Sequence, residues 1–229
     1  MKKSAKLLSL AVALLAGFGT STAQAEGFKV GADVVSSYVW RGTELGDSPA
    51  IQPNVSYTFK DSNIVLGAWG SYALQKSTPG GISGDYRYKE VDLFATLPVG
   101  PFSFTVTDYY VPVDGVGDSF DFSNDGPNTV ELSANYVYKN LGLTAAIFVA
   151  GNDYDNAKYC EATYKFYDKD GYTAKLVAGL GDDDYYGDKN SQDIALVNTG
   201  FSVAKDRYTG AYVYNPATKA SSLVFMASF

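Results

Sequence analysis

The chain has no histidine and only one cysteine, Cys160, among its 229 residues. Without histidine the Ser-His, Asp-His and His-metal mechanisms have neither base nor ligand, so enzymatic activity is not expected. A carboxylate pair could still act on a glycoside, but no stretch marks a cleft for one. One cysteine makes no intrachain disulfide, and no cysteine stands directly after the expected export cleavage site, so a lipid-modified N-terminus is not expected. Beyond residue 25 there is no run of 18 or more apolar residues, which excludes a membrane-spanning helix there. Positive charge is scarce too. Lys and Arg number 18 against 25 Asp and Glu, and three of the lysines lie in the leader described next. The remaining 15 basic and 25 acidic groups leave a net charge of -10. Such a surface repels nucleic acid and attracts cations.

What is present begins with a secretory leader. Lys2, Lys3 and Lys6 supply the charged start, residues 7–18 the apolar stretch, and Ala23-Gln24-Ala25 the small-x-small cleavage site. Residues 1–25 are therefore expected to be a cleaved signal peptide and residues 26–229 a single β-barrel domain. Nineteen Tyr, thirteen Phe and 23 Gly suit strands that are apolar on one face and polar on the other.

The alternation is explicit. Phe28, Val30, Ala32, Val34, Ser36, Tyr38 and Trp40 share one parity, while Lys29, Asp33, Ser37 and Arg41 share the other. Eleven further strands are expected at about 50–60, 64–75, 87–97, 102–112, 128–139, 142–150, 158–167, 172–180, 192–203, 208–215 and 219–229. The fold class is all-β: a transmembrane antiparallel up-and-down barrel of about twelve strands, with both termini periplasmic as even parity requires. Short connections at 60–63, 98–101, 139–141, 168–171 and 204–207 alternate with longer ones at 41–49, 76–86, 113–127, 151–157, 181–191 and 216–218. The short set belongs in the periplasm and the long set outside.

Aromatic residues mark the two rims. Phe28, Phe59, Phe102, Tyr138, Phe166, Tyr172, Phe201, Tyr208 and Phe229 fall at the short-turn strand ends, and Tyr38, Trp40, Tyr72, Tyr110 and Tyr214 are expected in an outer belt. Two strands depart from the pattern. Asp108 shares parity with Phe102, Phe104 and Val106, so either a bulge shifts the phase or Asp108 lies above the membrane. The strand at 192–203 is apolar on both faces.

Leu223, Phe225, Ala227 and Phe229 form the last outward stripe, and the terminal Phe229 is the expected assembly signal, presented to the barrel-assembly machinery. The other expected partners are outer-membrane lipid, lipopolysaccharide and small solutes, with no cofactor, no metal and no nucleic acid. The interior is expected to carry Lys29, Asp33, Gln52, Asn54, Glu90, Asp92, Glu131, Asn135, Glu161, Lys165 and Lys175. With both signs present, these groups either line a pore or pair across the lumen and plug it. Glu90, Asp92 and Glu131 have no obvious base nearby and would mark a cation path if hydrated. Arg41, at the outer end of the first strand, reads as a clamp on the rim or as a direct contact for a passing solute. Gly42 beside it permits the positive φ of a tight turn. The acids of the long loops, Asp114, Asp118, Asp121, Asp125, Asp153, Asp155, Asp182, Asp183, Asp184 and Asp188, lack calcium-loop spacing and read as a solvated face.

Several segments resemble the TorF-like porin family of small outer-membrane proteins. Ser36-Ser37-Tyr38-Val39-Trp40-Arg41-Gly42 is similar to the family's S-x-Y-x-[FW]-R-G signature. Residues 49–53 (PAIQP), 105–110 (TVTDYY) and 196–201 (LVNTGF) are similar as well. The resemblance implies a porin of a Gram-negative bacterium, whose transport role is consistent with a narrow channel for small polar or cationic solutes. The alternative is a non-conducting barrel with a surface-recognition or envelope-structural role.

Overall fold

In the computed structural model, residues 27–76, 87–112, 119–151, 156–189 and 194–229 are described. The expected leader and the acids Asp114, Asp118, Asp153 and Asp155 lie outside them. The strands are β1 (Gly27–Val35), β2 (Tyr38–Trp40), β3 (Thr43–Gly46), β4 (Ala50–Thr58), β5 (Val65–Ala73), β6 (Lys89–Val99), β7 (Phe102–Tyr110) and β8 (Asn128–Tyr138). They continue as β9 (Leu141–Gly151), β10 (Lys158–Lys169), β11 (Tyr172–Asp182), β12 (Ile194–Lys205), β13 (Tyr208–Asn215) and β14 (Ala220–Ser228), with one helical turn, α1 (Asp183–Tyr186). Twelve strands close into one antiparallel barrel, β1 pairing with both β4 and β14, while β2 and β3 form a separate two-stranded hairpin. Among the described residues no helix is long and apolar enough to cross a membrane.

The period-two pattern sorts the wall into two faces. Val34, Val55, Val91, Leu93, Val106, Leu132, Leu176 and Leu223 are exposed on the outside. Asp33, Gln52, Glu90, Asp92, Glu131, Thr163, Glu161 and Ser202 are buried on the inside. All nine aromatics expected at the short-turn rim are exposed, from Phe28 to Phe229. In β7 the register with β6 and β8 runs unbroken from Phe102 to Tyr110, so no bulge shifts Asp108. It keeps outward parity and accepts a hydrogen bond from Asn128 Nδ2 at 2.9 Å.

The apolar run in β12 has a different cause. Opposite Gly179–Leu180 the register slips by one residue, so Leu196 pairs with Leu180, Asn198 pairs with Gly179, and Val197 is extra. The bulge reverses the phase: Ile194 and Leu196 are exposed before it, Phe201 and Val203 after it. Val197 and Asn198 are both fully buried, at 0% exposure. An alternation that changes phase mid-strand reads, in sequence, as apolar on both faces.

The first strand is where expectation and structure part. A continuous strand over 28–40 was expected, but β1 leaves the wall after Val35. Ser36 makes the turn possible, because its Oγ accepts the Phe225 N–H at 2.9 Å where a wall strand would present a carbonyl. Ser37 Oγ then donates to the Glu44 carboxylate and lies 3.1 Å from the Gly46 carbonyl, tying the hairpin base together. Tyr38 and Val39 are buried and Trp40 is half-buried among interior aromatics, so Tyr38 and Trp40 do not join the outer belt. Once outside the wall, a backbone with bulky β-formers on both sides can bury them only by folding into the lumen.

The hairpin tip explains its own sequence. Arg41 (φ 49°) and Gly42 (φ 83°) form a two-residue turn with both central residues left-handed, closing Trp40 onto Thr43. A Cβ at Gly42 would lie 1.9 Å from the Val197 carbonyl oxygen, so the tip rests directly on the β12 bulge. Gly171 has a similar φ of 79°, but a Cβ there meets nothing within 4 Å. Gly42→Ala and Gly171→Ala should therefore share the ~1–2 kcal/mol backbone cost of a left-handed Ala. Gly42→Ala should lower the thermal midpoint further, by the clash with Val197; equal midpoints by heat-modifiability would contradict the docking.

Candidate functional site

The site lies in the long-loop half of the lumen, where the hairpin reaches several walls at once. Val39 packs on Val213 of β13 and Val224 of β14. Tyr38 packs against Trp69 of β5, ring centroids 5.4 Å apart, and Tyr88, at 5.7 Å. Trp40 sits among Tyr109, Phe148, Tyr185 and Tyr186, at 5.7 to 6.5 Å between centroids. Contacts to β5, β7, β9, β12, β13 and β14 place the hairpin across the lumen.

Arg41 is the centre of it. Its Nη1 and Nη2 donate to Glu131 Oε2 at 2.7 Å and Oε1 at 2.9 Å, a two-point fork. Nη1 also donates to Tyr186 Oη at 2.8 Å, and Tyr109 Oη donates to Glu131 Oε1 at 3.3 Å. The guanidinium carbon lies 4.4 Å from the Trp40 ring centroid and 4.5 Å from that of Tyr159, so aromatic faces flank the charge. Arg41 is 6% exposed and Glu131 2%. Burying two charges is costly, and fork geometry with extra hydrogen bonds is the arrangement that offsets that cost.

The partners are themselves held. Tyr159 Oη donates to Glu161 Oε2 at 2.6 Å, and Asn198 Nδ2 donates to the same carboxylate oxygen at 3.0 Å and to Tyr159 Oη at 3.1 Å. Asn198 can reach both because the β12 bulge buries it beside Val197. Tyr186 is carried inward by α1, whose backbone carbonyl at Tyr186 accepts from Asn215 Nδ2 at 2.9 Å. Burial pushes the Tyr186 hydroxyl up to about 12, so it stays neutral beside Arg41.

The expected interior residues divide into groups. Arg41 and Glu131 come together, but inside the lumen rather than on the rim, because the hairpin folds inward. The expectation that Glu131 has no base nearby is corrected by that pair. Glu90 and Asp92 stand two residues apart on β6, both buried, with Tyr88 Oη donating to Glu90 Oε2 at 3.0 Å. Glu161 belongs to the Tyr159–Asn198 cluster. The lysines sit nearer the short turns: Lys165 and Lys175 are register partners, and Lys165 Nζ lies 2.6 Å from Asp168 Oδ2. Lys29 is half-buried on the same inward parity, and Asp33 lies at the seam opposite Ser228. Phe229 is exposed at the short-turn rim.

Several residues of the site escaped the sequence, Asn198 of the β12 bulge among them. Tyr109 and Tyr159 lie on inward parity within their strands and could have been found by phase alone. Tyr186 could not, because its placement follows from a helical turn. The acidic run 182–184 is also not a uniformly solvated face, since Asp183 is buried. Asp121 does face solvent, where the Ser123 backbone N–H, donating to Asp121 Oδ1 at 3.0 Å, holds its carboxyl below the usual range.

Glu131→Gln leaves Arg41 buried without its counter-charge and should cost ~3–5 kcal/mol, whereas Arg41→Met combined with Glu131→Leu should cost far less than that. Urea midpoints of the two refolded variants check this, and the reverse order would contradict the clamp. Comparison with protein-family models, with curated proteins and with solved structures gave no match to this chain.

Proposed function

We propose that the chain is an outer-membrane barrel acting as a narrow channel for small polar or cationic solutes, closed in this conformation by the β2–β3 hairpin. One observation carries the reading: a closed barrel exposes Val, Leu and Phe around its outside and buries carboxylates, amides and hydroxyls within. A soluble sheet protein arranges these the other way, and only a lipid surround makes the inverted arrangement favourable. In this reading the short turns and both chain ends face the periplasm, the long loops meet lipopolysaccharide, and the β14 strand with Phe229 is what the assembly machinery receives. The resemblance to TorF-like porins supports the same assignment.

At the hairpin tip, closure rests on groups that water can replace, since an ion pair and a phenol hydroxyl hold Arg41. Withdrawal would hydrate these, while Val39 and Trp40 would give up apolar contacts with Val213, Val224 and Phe148. Lumen carboxylates Glu90, Asp92 and Glu161 would then face the path and favour cations, most strongly at low salt. The second reading, a non-conducting barrel in surface recognition or envelope structure, draws on the hairpin's contacts to so many walls.

Two measurements test the proposal. Leu132→Arg, on the outward face, should cost ~2–4 kcal/mol of folding free energy in lipid bilayers, while Ser133→Arg beside it should cost less. Equal costs would contradict a lipid-facing exterior. In planar bilayers the parent should pass small, infrequent cation-selective currents, and Arg41→Ala or removal of residues 38–46 should raise them. Silence from all three proteins would favour the non-conducting barrel.

A further inference from the structure

The groups that enclose the Arg41 guanidinium come mostly from the wall and not from the hairpin. Of the groups that touch the guanidinium, only Trp40 belongs to the hairpin. Glu131 of β8, Tyr159 of β10 and Tyr186 of α1 come from other elements, with Tyr109 of β7 supporting Glu131. Together they offer a carboxylate presented edge-on for two parallel N–H donors, an aromatic face at 4.5 Å, and a phenol oxygen at 2.8 Å. That set matches the planar, forked, weakly hydrated guanidinium and not the compact ammonium.

Part of this set is held by contacts outside the hairpin. Tyr159 is fixed by Glu161 and Asn198, and Tyr186 by the Asn215 amide on its carbonyl. Glu161, buried behind Tyr159, accepts from its hydroxyl and so orients the ring that faces the guanidinium. Arg41 reaches this place only because the chain turns in at Ser36 and the Gly42 turn seats on Val197.

We infer that Arg41 is a built-in occupant of a guanidinium-binding site on the lumen wall, and that small guanidinium solutes exchange with it, releasing the hairpin tip. Arg41→Ala removes the atoms of ethylguanidinium, which makes that compound the matching probe. In detergent-solubilised Arg41→Ala, millimolar ethylguanidinium should raise the thermal midpoint saturably, with ethylammonium about tenfold weaker, as expected when a fork is replaced by a point charge. Adding Glu131→Gln should abolish the effect. If Arg41→Ala does not reach the membrane, the folded fraction after refolding from urea with either cation gives the same comparison. Exchange with Arg41 and the groups that touch it kept is read with Trp69→Phe, which leaves Trp40 as the single tryptophan of the two and keeps an aromatic ring beside Tyr38. Ethylguanidinium should shift its emission to the red as Trp40 leaves the aromatic cluster, and ethylammonium should not. No preference between the two cations in Arg41→Ala overturns the site. Selective rescue without any shift in Trp69→Phe makes Arg41 a permanent clamp and overturns the exchange.

Discussion

The long-loop half of this barrel depends on one forked ion pair, Arg41 on Glu131, formed between a hairpin that has left the wall and a strand that has not. A hairpin of three and four residues per strand has little stability of its own. Its position is therefore set by what its tip binds. The fork supplies direction, the Trp40 and Tyr159 faces exclude water from it, and the Gly42 contact sets the depth. Remove the carboxylate, and Arg41 remains buried without the fork that holds it.

The β12 bulge serves that pair from the opposite side. One additional residue turns Val197 and Asn198 inward together, so the wall presents a carbonyl for the tip to rest on and an amide that fixes Tyr159 and Glu161. Without the slip in register, one of these two side chains would point outward. A local irregularity in one strand thus supports a contact centred four strands away, on Glu131 of β8.

Closure of the barrel shows a related compromise. β1 and β14 share only three register pairs, Asp33 with Ser228 to Val35 with Met226, extended by backbone bonds at Ala32 and Ser36. The neighbouring β13–β14 pair runs over eight. The wall pairing that β1 forgoes is the consequence of sending residues 38–46 inward, and Ser36 Oγ ends the ladder cleanly at the point of departure. Strength of the seam and occupancy of the lumen are therefore set by the same few residues.

Sequence alone determined the barrel, its twelve wall strands and the two faces of most of them, because side-chain direction in a strand follows a strict period of two. Lys29, Asp33, Glu90, Asp92, Glu131 and Glu161 could be assigned inward from that period alone. It also marked Arg41-Gly42 as a tight turn with a charge to place. Only the tertiary structure decided that the first strand breaks at Ser36, that Tyr38 and Trp40 turn inward, and that Arg41 meets Glu131 ninety residues away. Those outcomes depend on a β-bulge and a helical turn that shift phase locally, and on a distant carboxylate. A periodic pattern read along one strand carries no information about which groups on other strands will meet it across the lumen.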